Sequence, residues 1–218
     1  MTFTGSELVT VTLDYDRGRR VTVYVPPNPT ESIVYAADGQ WHTSRLSAAL
    51  QGADLRSTMI VGVHGLEGDA RGHEYVNVPE ANRFRAHERF FVHDVRRWVE
   101  SRFGVAVPAE RTAVWGASFG GELALAMGVL HPDVYGAVFC ASPGGGYRPP
   151  EVLPSPLPRF YLIGGDQERG WFLDFAVGWA DALRDAGVDV IMMEREGNHG
   201  GDFWFEEFPL MVAWAFGR

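Results

Sequence analysis

Gly116-Ala117-Ser118-Phe119-Gly120 sets a serine between glycines two residues away on either side. That spacing suits a serine at a sharp strand-to-helix turn, where larger side chains at the flanking positions would collide with backbone. The apolar "RTAVWG" before it reads as a strand, and Ser118 to Leu130 reads as a helix. Such a turn lifts the hydroxyl to the carboxyl edge of an open sheet. There the unpaired N–H groups and the positive dipole end of the new helix favour an oxyanion. The chemistry implied is nucleophilic attack on an acyl carbon. Two rivals share the pattern, a dinucleotide-binding turn and a purely structural elbow. A cofactor turn belongs after the first strand of its domain, whereas about four strands precede this one. All nineteen basic residues are arginine. The chain therefore has no lysine for a Schiff base, a phosphate-binding P-loop or the Tyr/Lys pair of short-chain dehydrogenases.

A serine hydroxyl is a weak nucleophile and needs a base, which in turn needs an orienting acid. In a strand-to-helix elbow the chain order is serine, acid, histidine. Only His131 and His199 follow Ser118. His131 ends the helix that Ser118 starts, too far along it to be the partner. His199 lies in "REGNHGGDFW", a glycine-flanked loop after the last strand, and is the expected base. The acid is expected after the strand "RFYLIGG", where "GGDQERG" offers Asp166 and Glu168. Physical reasoning does not separate these two. One oxyanion donor is the N–H of Phe119; the other is expected from "VGVHGLEG", at Gly65 or Leu66. His64, in the same stretch, either lines the site or caps the strand.

The elements that must position these groups alternate along the chain. "LVTVTLD" and "RVTVYV" alternate apolar and polar residues around the turn "YDRGR" and read as a hairpin. Strands follow at "SIVYAAD", "TMIVGVHG", "RTAVWG", "YGAVFCAS", "RFYLIGG" and "VDVIMME". Helices are predicted over Thr43 to Gln51, Glu88 to Phe103, Ser118 to Leu130, Trp171 to Ala186 and Phe203 to Phe216. "LEGDARGHEYVNVPEANRFR" reads as polar and irregular. Pro143 to Pro158 reads as a mobile loop near a site. Strand and helix in alternation predict an α/β fold: a mostly parallel central sheet, an antiparallel N-terminal edge and helices on both faces.

The 218 residues fit one domain over residues 1–218. A 46% hydrophobic and 22% charged composition is that of a soluble globular chain. No apolar run is long enough to span a bilayer, so no membrane partner is expected. "MTFTGSELVT" lacks a basic stretch followed by an apolar core, so no signal peptide is expected. With one cysteine, Cys140, no intrachain disulfide can form; together these predict a cytoplasmic protein. A net charge of -9 argues against a nucleic-acid partner. No His/Cys/carboxylate cluster has metal-ligand spacing, so neither metal nor organic cofactor is expected.

At this point the residues resemble a known group, the α/β-hydrolase esterases that include esterase D, enterochelin esterases, feruloyl esterase domains and mycolyltransferases. "IVYAADGQ" looks like that family's strand ending in Asp-Gly. "VGVHGLEGDARGHEY" looks like its oxyanion loop with an Arg-x-x-Glu-Tyr element, here Arg71, Glu74 and Tyr75. "RTAVWGASFGGELALAMGVLHPDVYGAVFCASPG" is similar to its nucleophile region, and "GGDQERGWF" and "GNHGGDFW" to its acid and histidine loops. The resemblance runs from about Ser32 to Trp214. It implies a serine esterase acting on a small-molecule ester or thioester through an acyl-enzyme, without cofactor. An acyltransferase and an inactive binding module of the same fold are the alternatives. The family's acid commonly stands three residues after a loop glycine; counting from Gly165 gives Glu168. His64, Arg71, Glu74, Tyr75 and Trp204 are the implied pocket residues.

Overall fold

The structure, a computed structural model, describes residues 6–55, 57–77 and 82–217. The hairpin forms as predicted, from β1 (Glu7–Leu13) and β2 (Arg19–Val25), and β2 continues antiparallel onto β4 (Thr58–Val63). The remaining strands are parallel: β3 (Ser32–Ala36), β5 (Thr112–Ala117), β6 (Ala137–Ala141), β7 (Arg159–Gly165) and β8 (Val190–Arg195). The eight-stranded order is β1-β2-β4-β3-β5-β6-β7-β8. Ser118 thus leaves the carboxyl end of β5, between β3 and β6. The fold is one α/β domain with a mostly parallel sheet and an antiparallel edge.

Helices cover both faces because buried strands alternate their side chains. Ile33 and Tyr35 point into one core with residues of α3 (Asn82–Arg89), α5 (Phe119–Leu130) and α6 (Gly170–Asp185). Val34 and Ala36 point into the other, with α1 (Gly39–Gly52), α7 (Phe203–Glu206) and α8 (Phe208–Phe216). No helix among the described residues is long and apolar enough to cross a membrane.

Four sequence expectations need correction. Helix α1 starts at Gly39, not Thr43. A Cβ on Gly39 would lie 2.2 Å from the Gly62 carbonyl oxygen, so glycine lets the helix start directly on β4. The stretch predicted as irregular contains α2 (Gly68–Tyr75) and the start of α3, while its residues 78–81 lie outside the described residues. Its polar side chains fold onto partners far away in sequence, which periodicity does not register. The helix predicted from Glu88 starts at Asn82 and carries a π-helical turn, Phe90–Val95, before α4 (Arg96–Phe103). The final apolar stretch divides into α7 and α8, with Pro209 in the first turn of α8.

Packing also fixes the elbow. A Cβ on Gly116 would fall 1.8 Å from the Gly120 carbonyl oxygen, inside backbone that cannot move aside. Gly116→Ala is expected to destabilise the protein by about 3 kcal/mol or more, read by urea denaturation. A loss below about 1 kcal/mol would mean that the β5–α5 turn is looser than its geometry implies.

Candidate active site

Ser118 sits at φ 57, ψ −126, a conformation a non-glycine residue holds only when its surroundings enforce it. Its N–H donates to the Ala141 carbonyl at 3.0 Å, which ties the turn to β6. Phe119 opens α5 immediately after it and is 40% exposed.

The histidine loop and the acid loop meet at the same sheet edge. His199 Nδ1 and Glu168 Oε1 are 3.1 Å apart. The Glu168 side chain is fully buried, and its other oxygen accepts the Gly165 N–H at 3.2 Å. Phe172 of α6 stacks on the imidazole with centroids 3.9 Å apart, and Trp204 meets it edge-on at 5.1 Å. Trp204 Nε1–H donates to the Ser142 hydroxyl at 2.8 Å. Ser142 follows Ala141, the partner of the Ser118 N–H, so Trp204 ties the histidine loop to the elbow. Asp166, the other candidate acid, instead accepts the Gly197 N–H through Oδ1 at 3.0 Å and shapes the loop leading to His199. His131 bonds Glu88 at 2.7 Å, away from this group.

The side expected to supply the second oxyanion donor is built on a buried ion pair. Asp38, in the left-handed region at φ 56 and fully buried, receives Arg71 Nε at 2.8 Å and Nη2 at 2.6 Å. Its own N–H donates to the Tyr75 hydroxyl at 3.3 Å. The Arg71 guanidinium lies over the Phe119 ring at 5.4 Å and the Trp41 ring at 5.8 Å. Gly65 is gripped from both ends. Its N–H donates to Gln40 Oε1 at 2.9 Å, and Gln40 Nε2 donates to its carbonyl at 3.2 Å. Of the two expected donors, the Gly65 N–H is therefore spent on Gln40.

The pocket residues implied by resemblance divide. Arg71 and Trp204 border the site. Glu74 is buried and held by Arg19 through two bonds of 2.9 Å, and Tyr75 is fully enclosed. Both belong to the framework beneath the site, because α2 turns that face inward. His64 Nε2 bonds the Thr22 hydroxyl of β2 at 2.8 Å, the strand-capping alternative. Gln40 and Trp41 are neighbours of the site that sequence reasoning passed over. Both follow the Asp-Gly pair, and that position was their only signal.

Glu122, four residues after Ser118, is also fully buried. Burial pushes its carboxyl up from 4.5 to about 7, against the opposing pull of the Gly146 and Tyr147 N–H groups and of Arg71. The folded value lies above the unfolded one. Stability therefore falls as pH rises from about 4.5 to about 7. Glu122→Gln lacks this ionisation. Its stability relative to wild type is expected to rise by roughly 3 kcal/mol between acid and weakly alkaline pH. Denaturation at both pH values checks this; a difference independent of pH would show that Glu122 titrates normally.

The family model described as "Putative esterase" matches residues 14–147, more than half of the chain. The chain belongs to this esterase family. Members of the family act on ester bonds, so the protein is an enzyme of the ester-hydrolysing class. Among solved structures, a ferulic acid esterase matches with a TM-score of 0.73 and 18% identity, covering 98% of each chain. The enterobactin esterase from Shigella flexneri gives 0.81 and 16%, over 96% of this chain and 59% of that one. The S-formylglutathione hydrolase from Staphylococcus aureus gives 0.75 and 11%, over 96% and 98%. At these identities the likeness shows the fold. No curated protein sequence matches the chain.

Proposed function

We propose that this esterase hydrolyses a small-molecule carboxylic ester or thioester through an acyl-enzyme on Ser118, in a cytoplasmic setting. The observation that carries the reading is the convergence of three features at one sheet edge. These are a strained serine, a helix N-terminus directly behind it and a histidine paired with a buried carboxylate. With Nδ1–H directed at Glu168, the other imidazole nitrogen, Nε2, is left with its lone pair for the serine proton. Ser118 Oγ attacks the ester carbonyl as His199 takes that proton. The oxyanion rests on the Phe119 N–H and the Leu66 N–H, the candidate donor not spent on Gln40. His199 then protonates the leaving alcohol. Water, deprotonated by the same imidazole, releases the acid.

An alkyl fluorophosphonate tests this directly. One adduct per chain on the Ser118 peptide, with p-nitrophenyl acetate turnover lost in proportion, is expected by mass spectrometry. Turnover that survives full labelling of Ser118, or an adduct on another residue alone, would sink the reading.

A further inference from the structure

The segment after β6 runs Pro143-Gly144-Gly145-Gly146-Tyr147, and close approach dictates its glycines. A Cβ on Gly144 would lie 2.2 Å from Glu122 Oε1, and one on Gly146 would lie 2.7 Å from Glu122 Oε2. One on Gly145 would lie 2.2 Å from the Phe175 ring of α6. The chain thus wraps the Glu122 carboxylate with no room for side chains. Both Glu122 oxygens are sealed from solvent. Neither completes a hydrogen bond of good geometry, although the N–H groups of Gly146 and Tyr147 face them. The far end of the segment is pinned to α6, where Trp179 Nε1–H donates to the Tyr147 carbonyl at 3.0 Å. Its near end lies beside the Phe119 ring. The segment is therefore a wall between the elbow and α6, backed by one carboxylate.

We propose that Glu122 is a specificity-determining positioning residue: by holding the Gly144–Tyr147 backbone against α5, it sets how wide an acyl group fits beside Ser118. The proposal rests on the esterase reading. A protonated, neutral carboxyl fits the dry cradle, and the wall sits in. Ionisation leaves a charge sealed from water with neither oxygen in a hydrogen bond of good geometry, and admitting water to it relaxes the wall away from α5. The charged and titratable groups facing Glu122 are Arg71 from α2 and the Cys140 thiol from β6; the Tyr147 hydroxyl of the segment itself is engaged by Asn77. Helix α6 presents Phe175 and Trp179, with the Arg148 guanidinium over Phe175 at 5.2 Å. Arg71 keeps its charge, and burial keeps the thiol and the phenol neutral. Glu122 is then the member of the group that changes charge near neutrality.

The test is a ratio, kcat/KM for p-nitrophenyl octanoate over that for p-nitrophenyl acetate, measured well below and well above pH 7. The His199 ionisation and any unfolded fraction cancel in this ratio. In wild type it is expected to rise by about threefold or more on the alkaline side, the scale of one hydrogen bond. In Glu122→Gln it should not move with pH. A flat wild-type ratio, or the same pH shift in the variant, overturns the proposal. Amide hydrogen exchange of the peptide spanning Pro143 to Tyr147 gives a readout independent of turnover. After correction for intrinsic rates, protection should be greater below pH 7 than above it in wild type, and independent of pH in Glu122→Gln. If neither ester is turned over, the esterase reading fails. The exchange result then decides the cradle, and equal wild-type protection at both pH values overturns it.

Discussion

Ser118→Ala is expected to lower kcat/KM for p-nitrophenyl acetate by about 10⁴-fold or more, leaving only what binding and the oxyanion donors supply. The alanine keeps the elbow, because the strained backbone at φ 57 is enforced by its surroundings and not by the hydroxyl. The loss therefore falls on kcat, with KM and the folding transition nearly unchanged. His199→Ala is expected to cost a similar factor, since an unactivated serine attacks an ester poorly. The double variant should be no worse than either single one, the mark of residues that act as a unit. Single-variant activity above about one per cent of wild type would place the nucleophile or the base elsewhere.

The strongest sequence signals were those carried by local sterics. Gly116 precedes the serine because a Cβ there would fall into the Gly120 backbone of the same turn, and local packing of that kind is written in residue type. The strands were legible for a similar reason. Val-, Ile- and Ala-rich runs can be buried on both faces only in a sheet covered on both sides. Helix α2 was not legible, because its stability is not local. Its polar residues are satisfied by Asp38, 33 positions before Arg71, and by Arg19, 55 positions before Glu74. A sequence window sees charge there and reads a loop. The resemblance implied pocket roles for Glu74 and Tyr75, which α2 turns inward, and the same blindness left out Gln40, whose amide acts only after β3 and β4 are brought side by side. The sequence carries no signal for Glu122, whose burial is visible only with the glycine segment packed over it.

The acid is the second large effect, and the contacts of Glu168 and Asp166 differ where physical reasoning left the two level and the resemblance favoured Glu168. Glu168→Ala is expected to reduce kcat by about 10²- to 10⁴-fold, because Glu168 holds the imidazole tautomer and stabilises the imidazolium formed on proton transfer. The lower figure reflects an imidazole whose side chain is 32% exposed, where water takes over part of the carboxylate's work. Asp166→Ala removes a different contact, the acceptor of the Gly197 N–H, and touches the imidazole only through the loop. Its cost is expected to stay within about tenfold, since the Asp166 and Gln167 N–H bonds to Arg195 and Gly197 still hold that loop to β8. Glu168→Gln sharpens the comparison. It preserves the volume and the acceptor for the Gly165 N–H at 3.2 Å, but it carries no charge to balance the imidazolium. It should fold like wild type and still lose most of the activity. Equal, small losses at Glu168 and Asp166 would instead leave Ser118 and His199 working as a pair, with the buried carboxylate serving only to orient a loop.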